Sequence, residues 1–216
     1  MKLYKFRSLS NDGLFYTLDM IIHNRLYLST RDKVNDINEG QWNSKYEITG
    51  RKNHDNLEIN KKLKSIIDKQ RFTCLVQNID IKSHLMWAHY AGGFSGVALE
   101  FEVDECKYDL RKVEYLGTPD ISIEEANKVV LGEIKPQDIG LLRRKDKCWE
   151  YEGEWRLYGQ GQEIYVTDIK PTAVILGPKE GTKHHSLLKP ILKKFNIPIG
   201  YMVPSSNSEF EIEIES

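Results

Sequence analysis

Gly96-Val97-Ala98-Leu99-Glu100-Phe101-Glu102 sets Val97, Leu99 and Phe101 on one side of an alternating run, and this period of two predicts a strand. Upstream, Phe72-Thr73-Cys74-Leu75-Val76 reads as a buried strand, and Leu3 to Arg7 alternates as a half-buried one. Between those two the pattern turns helical. The cap and turn residues Ser10-Asn11-Asp12-Gly13 lead into Leu14, Leu18, Ile21 and Ile22 at helical spacing, with Asn24 as the stop. Leu26-Tyr27-Leu28-Ser29-Thr30 predicts a short strand and Asp32 to Gly40 a loop. Leu57, Ile59, Leu63, Ile66 and Ile67 then mark an amphipathic helix running to about Gln70.

Downstream, Lys112 to Tyr115 is a candidate strand, and Ser122 with Glu125 forms a capping box that opens a helix ending near Gly132. Strand-like runs follow at Glu154 to Tyr158, Glu163 to Val166 and Ala173 to Leu176. A helix is expected near His185 to Phe195, and Phe210 to Ile214 alternates as a last strand. No linker divides the chain and no regular βαβ rhythm appears. The expectation is one α+β domain over residues 1–216, with mixed or antiparallel central sheets flanked by helices.

The chain has 216 residues, 40% of them hydrophobic, with 31 basic against 32 acidic side chains, so nothing in its charge calls for nucleic acid or an anionic membrane. Met1 to Arg7 lacks the apolar run of a secretory signal, and no stretch approaches the ~20 apolar residues of a membrane span. A cytoplasmic protein with no membrane partner is expected. Cys74, Cys106 and Cys148 are widely spaced and form no Cys-x-x-Cys pair, so reduced thiols are expected and no metal site is predicted.

Two segments concentrate chemistry. Met86-Trp87-Ala88-His89-Tyr90 stands before Gly92-Gly93, where a glycine loop lets backbone approach a ligand and Trp87 and Tyr90 offer flat faces to an aromatic or ribose-bearing molecule. His89 belongs to the same candidate binding set. The structural alternative is a short helix that packs Met86, Trp87 and Tyr90 into the core. In Trp149-Glu150-Tyr151-Glu152-Gly153-Glu154-Trp155-Arg156, Glu150, Glu152, Glu154 and Arg156 share one face if the run is a strand. Clustered carboxylates repel unless cations answer them, and Arg156, Arg7, Lys145 or Lys147 are the candidates; the alternative is a solvated edge strand. Arg143-Arg144-Lys145 reads as a solvated face, and His184-His185 as the surface start of a helix.

The chain resembles a bacterial family catalogued as domain of unknown function 2971. The pieces that carry the likeness are Tyr4-Lys5-Phe6-Arg7-Ser8, Leu26-Tyr27-Leu28-Ser29 followed by Asn35-Asp36 and Glu39, Leu85 to Ala91, Gly96 to Phe101, and Tyr151 to Arg156. The family name implies no activity. The order Arg7, Ser29-Thr30, Glu152-Gly153-Glu154 is also similar to the Arg, Ser/Thr and Glu-x-Glu motifs of ADP-ribosyltransferases. That likeness implies an NAD-handling transferase or glycohydrolase, with NAD as substrate and a macromolecular acceptor, and a setting such as a bacterial toxin or phage defence. In it Arg7 holds the pyrophosphate, Ser29 and Thr30 orient, Trp87 and Tyr90 stack, and Arg156 and His89 complete the binding set. Glu154 bonds the ribose hydroxyl and Glu152 positions or deprotonates the acceptor. Glu154→Gln is then expected to stop turnover with little change in thermal midpoint. The alternatives are a metal-dependent nuclease or hydrolase using His89, Asp36, Glu39, Glu100 and Glu154, and a binding module for a nucleotide or a protein partner.

Overall fold

The computed structural model describes residues 1–45, 52–77, 79, 83–161, 163–179, 183–204 and 210–215. An eight-stranded sheet organises them. Its strands are β1 (Lys2–Arg7), β4 (Phe72–Val76), β5 (Val97–Glu102), β6 (Asp109–Lys112), β8 (Glu154–Tyr158), β10 (Pro171–Leu176), β11 (Ile199–Pro204) and β12 (Phe210–Glu215), in the order β12-β11-β10-β5-β1-β4-β8-β6. Every neighbouring pair is antiparallel except β10 and β11, which α5 (Lys183–Lys194) connects as a crossover requires. Two small ribbons complete the strands: β2 (Leu26–Tyr27) with β9 (Tyr165–Val166), and β3 (Asn43–Ser44) with β7 (Asp120–Ile121). This is the expected α+β architecture, with a mixed and mostly antiparallel sheet.

Alternation along the strands divides the core between the two faces. Leu3, Leu75, Leu99 and Leu157 point to the side covered by α1 (Gly13–His23) and α5. On the other side Tyr4, Phe6 and Val76 pack with α3 (His84–Tyr90), while Phe72 and Tyr158 pack with α2 (Lys52–Lys69) and α4 (Ile123–Val130). Among the described residues no helix is long and apolar enough to cross a membrane.

Local signals placed several boundaries. Asn24 closes α1 at φ 48°, a left-handed conformation that Asn tolerates better than most residues. The Ser122 hydroxyl accepts from Glu125 N–H at 3.2 Å while the Glu125 carboxylate accepts from Ser122 N–H at 2.8 Å, the reciprocal pair of a capping box. Other readings need correction. The strand expected at Lys112 to Tyr115 lies at Asp109–Lys112, and β11 had no sequence expectation. Ile22, assigned to the buried stripe of α1, is exposed. Met86 to Tyr90 lies in the short helix α3 with Met86 and Trp87 buried, which is the structural alternative weighed for that segment. Lys147–Glu152 is a 3-10 turn that Gly153 ends at φ 52°, so the strand register from Glu150 to Arg156 holds only from Glu154. β8 lies between β4 and β6, which rules out a solvated edge strand.

The sheet forks in its middle. β1 matches β5 along six residue pairs, but β1 and β4 register only at Tyr4 and Val76. Beyond that pair the strands part. Ser29 takes the vacant ladder positions at the far end of β4, donating its N–H to Phe72 O at 2.8 Å and accepting from Phe72 N–H at 3.0 Å. Lys5 spans the gap, donating through Nζ to Thr73 Oγ1 at 2.7 Å and to Cys74 O at 3.1 Å.

Gly96 closes the other flank of β1. A Cβ there would stand 2.2 Å from the Arg7 carbonyl oxygen and 2.7 Å from that of Ala91, and neither backbone can yield cheaply. Gly96→Ala is expected to lower the urea unfolding free energy by about 1–3 kcal/mol, the usual range for overpacking.

Candidate active site

A cavity of about 240 Å³ occupies the fork. Lys5 and Arg7 reach it from one face of the sheet, Cys74 and Glu154 from the other, and Tyr90, Lys145, Glu152, Ser29 and Lys33 from the flanking segments. Side chains of opposite faces meet only because β1 and β4 have separated. Of the residues singled out in the sequence, Arg7, Ser29, Tyr90, Glu152 and Glu154 therefore line one cavity.

The other sequence candidates lie elsewhere. Trp87 has no exposed surface and stands edge-on to Phe6 at 5.1 Å between ring centroids, so it packs the core and has no free face for a ligand. His89 is exposed on α3, 6.3 Å from the Tyr151 ring. Thr30 precedes the 3-10 turn Arg31–Lys33 and does not line the cavity. Arg156 lies fully buried beneath the site, as a support for the carboxylates. Lys145 is buried in the cluster, against the reading of residues 143–145 as a solvated face, and His185 is buried against Gly96 O at 3.2 Å.

Arg156 uses all its donors. Nε donates to Glu154 at 2.7 Å, Nη1 to Glu39 at 2.6 Å and to Leu142 O at 2.5 Å, and Nη2 to Glu39 at 2.7 Å and to Glu154 at 3.5 Å. The Phe72 ring lies 4.6 Å from its guanidinium carbon. Lys145 Nζ bridges Glu154 at 2.6 Å and Glu152 at 2.7 Å, and the Tyr90 hydroxyl donates to the second Glu152 oxygen at 2.5 Å. Glu39 was visible in the sequence only as a motif position and a candidate metal ligand, and its partner lies 117 residues away.

These contacts give the two carboxylates different roles. Burial disfavours the Glu154 charge, but Arg156 and Lys145 override it and hold its pKa below the ordinary carboxylate range. Burial raises the Glu152 pKa, and the neighbouring Glu154 charge adds to the rise against the opposing Lys145. Two cations face three carboxylates in the buried cluster, so the excess negative charge is relieved most easily at Glu152. Glu154 therefore keeps its charge, and Glu152 is the carboxylate pushed toward its protonated form.

Three further cations line the cavity. Lys5, Arg7 and Lys33 form no ion pair among the described residues, and Arg7 Nε has no hydrogen-bond partner. Burial lowers the Lys5 pKa to about 8, with the Arg7 charge adding to the fall and Cys74 and Glu154 opposing it, so its ammonium persists at neutral pH. Burial lowers the Arg7 pKa as well. An anion would answer these charges.

The residues offered for a metal do not converge. Glu39 and Glu154 hold Arg156, Glu100 accepts from Tyr4 and Thr172, and His89 is exposed. Among the described residues no group of three or more His, Cys, Asp and Glu side chains is arranged to hold a metal ion.

The fold and site define an α+β protein with a charged cleft through a forked sheet. Residues 86–157, about a third of the chain, match the model of a family described as "Protein of unknown function (DUF2971)". The match covers Tyr90, Lys145, Glu152, Glu154 and Arg156, and leaves Arg7, Ser29 and Glu39 outside it. No curated protein and no solved structure matches the chain.

Removing one member of a fully buried ion pair strands the other. Arg156→Met and Glu39→Gln are each expected to cost about 3–5 kcal/mol in urea unfolding. Glu154→Gln strands part of the same cluster, so a lowered thermal midpoint is expected in place of an unchanged one. Since the folded pKa of Glu154 is depressed, its stabilisation is complete above its ordinary value of 4.5 and is lost as pH falls below that. Glu154→Gln should therefore flatten the acid limb of a stability-against-pH curve.

Proposed function

We propose that the chain is an NAD-handling enzyme that transfers the ADP-ribosyl group of NAD to an acceptor or to water. The observation that carries this reading is the convergence of Arg7, Ser29, Tyr90, Glu152 and Glu154 on one cavity, together with Lys5 and Lys33. A lining that mixes cations and carboxylates suits a dinucleotide. Its pyrophosphate would lie on Arg7, Lys5 and Lys33, with Ser29 as a further donor, and its cationic nicotinamide riboside would lie toward Glu152 and Glu154.

The reaction breaks the bond between ribose C1′ and the nicotinamide nitrogen, and the electron pair leaves with neutral nicotinamide. Positive charge builds on the ribose as that bond lengthens. A carboxylate already ionised and held in place stabilises it without reorganising, which is the part assigned to Glu154. The acceptor oxygen then bonds to C1′ and gives its proton to Glu152, whose raised pKa suits a general base. Tyr90 and Lys145 act as positioning residues, because each holds one Glu152 oxygen.

Purified protein incubated with NAD is expected to release nicotinamide. Glu152→Gln should lower kcat by at least about 100-fold, the lower end of general acid–base contributions, with NAD affinity nearly unchanged. Turnover should fall on the acid side as Glu152 protonates, above the ordinary carboxylate range. KM should rise as pH passes about 8 and Lys5 loses its charge. Absence of NAD binding by calorimetry together with absence of nicotinamide release would refute the reading. Binding without turnover, unaffected by Glu152→Gln, would reduce it to a nucleotide-binding module.

A further inference from the structure

A second chamber of about 450 Å³ adjoins the fork cavity and shares Lys5, Arg7, Ser29 and Lys33 with it. Its remaining walls come from α1, Arg25 and the β2–β9 ribbon: the aromatic Phe15, Tyr16, Tyr27 and Tyr165, with Asp19 and Met20 beside them. Phe15 and Tyr16 keep 67% and 50% of their surface exposed although they sit on a core-packing helix. Tyr27 and Tyr165 meet edge to face with centroids 5.7 Å apart. The Arg25 guanidinium lies 3.8 Å from the Tyr165 ring centre and is clamped by Asp19, which accepts from Nε at 3.1 Å and from Nη2 at 2.6 Å. The Arg7 guanidinium carbon stands 5.5 Å from the centre of the Tyr16 ring. The chamber thus has flat, partly fixed walls, and it shares with the fork cavity Lys5, Arg7 and Lys33, which form no ion pair among the described residues.

We infer that this chamber seats the nucleobase of a nucleotide whose phosphates lie on Lys5, Arg7 and Lys33. An apolar peptide would satisfy the rings but leave the shared cations unanswered. A bare phosphate would do the reverse. A nucleotide answers both, because a base stacks on aromatic and guanidinium planes while its phosphates take charge-assisted hydrogen bonds. The chamber volume falls within the roughly 300–1,000 Å³ of small-molecule sites, which the fork cavity alone does not reach. The inference rests on the proposed function only for the position of the phosphates. It transfers the stacking role assigned to Trp87 in the sequence to Tyr16, Tyr27 and Tyr165.

Calorimetry on the full chain with ADP and with inorganic pyrophosphate separates base from phosphate. ADP should bind at least about tenfold tighter than pyrophosphate. Tyr16→Ala, a substitution at an exposed position, should weaken ADP by about tenfold and leave pyrophosphate within about twofold. Saturation-transfer NMR should carry magnetisation from tyrosine ring protons to adenine H2 and H8 in the wild type. Equal affinity for the two ligands, equal loss of both in Tyr16→Ala, or no ADP binding would each overturn the inference. The two proposals fail separately. NAD turnover whose KM ignores Tyr16→Ala removes the base seat and leaves the enzyme, whereas Tyr16-dependent ADP binding without nicotinamide release keeps the seat and removes the catalytic reading.

Discussion

The guanidinium of Arg156 has no exposed surface, and a charge in that position is tolerable only because every one of its N–H groups has an acceptor. Much of the site's geometry follows from satisfying it. Glu39 ties the loop after β2 to the sheet, Leu142 O ties the segment before the 3-10 turn, and Glu154 faces the cavity from the same strand. Lys145 extends the network to Glu152, and Tyr90 brings in α3. Buried ion pairs stabilise little against an apolar replacement of the same shape, so their value here is placement. They keep Glu154 charged, while burial raises the pKa of Glu152.

The second constraint is the fork. A continuous sheet would have kept Lys5 and Arg7 on the opposite face from Glu154. Because β1 and β4 share only the Tyr4–Val76 register, a cavity opens between them, and cations from one face and carboxylates from the other line it. The Lys5 ammonium and the inserted Ser29 satisfy backbone groups that ladder hydrogen bonds would otherwise have taken. The elements that hold the fork open are thus also lining residues of the proposed phosphate site.

What the sequence disclosed follows from what is local. β5 and β1 were legible because alternation reports a strand directly, and α4 because its capping box is a four-residue signal. β11 was not, since Pro198 and Gly200 interrupt its pattern and Pro204 ends it. The Glu150 to Arg156 register failed because Gly153 takes a positive φ, which a period of two does not anticipate. Composition drew attention to Glu152 and Glu154, which line the cavity, but Glu39, the remote partner of Arg156, is reported by no periodicity. Trp87 looked like a ligand wall because a Trp beside a glycine pair suits binding and packing equally, and its burial against Phe6 shows that it packs. The aromatic chamber is not local: Phe15 and Tyr16 fall outside the Leu14, Leu18, Ile21 and Ile22 stripe of α1, and Tyr165 lies far along the chain.

The central claim is that one ligand spans the fork, and a crystal structure of the protein with ADP-ribose tests it most directly. Pyrophosphate oxygens are expected within hydrogen-bond distance of Arg7 and Lys5, adenine among Tyr16, Tyr27 and Tyr165, and the terminal ribose beside Glu152 and Glu154. ADP-ribose bound elsewhere on the surface, with Arg7 and Lys5 untouched, would contradict it.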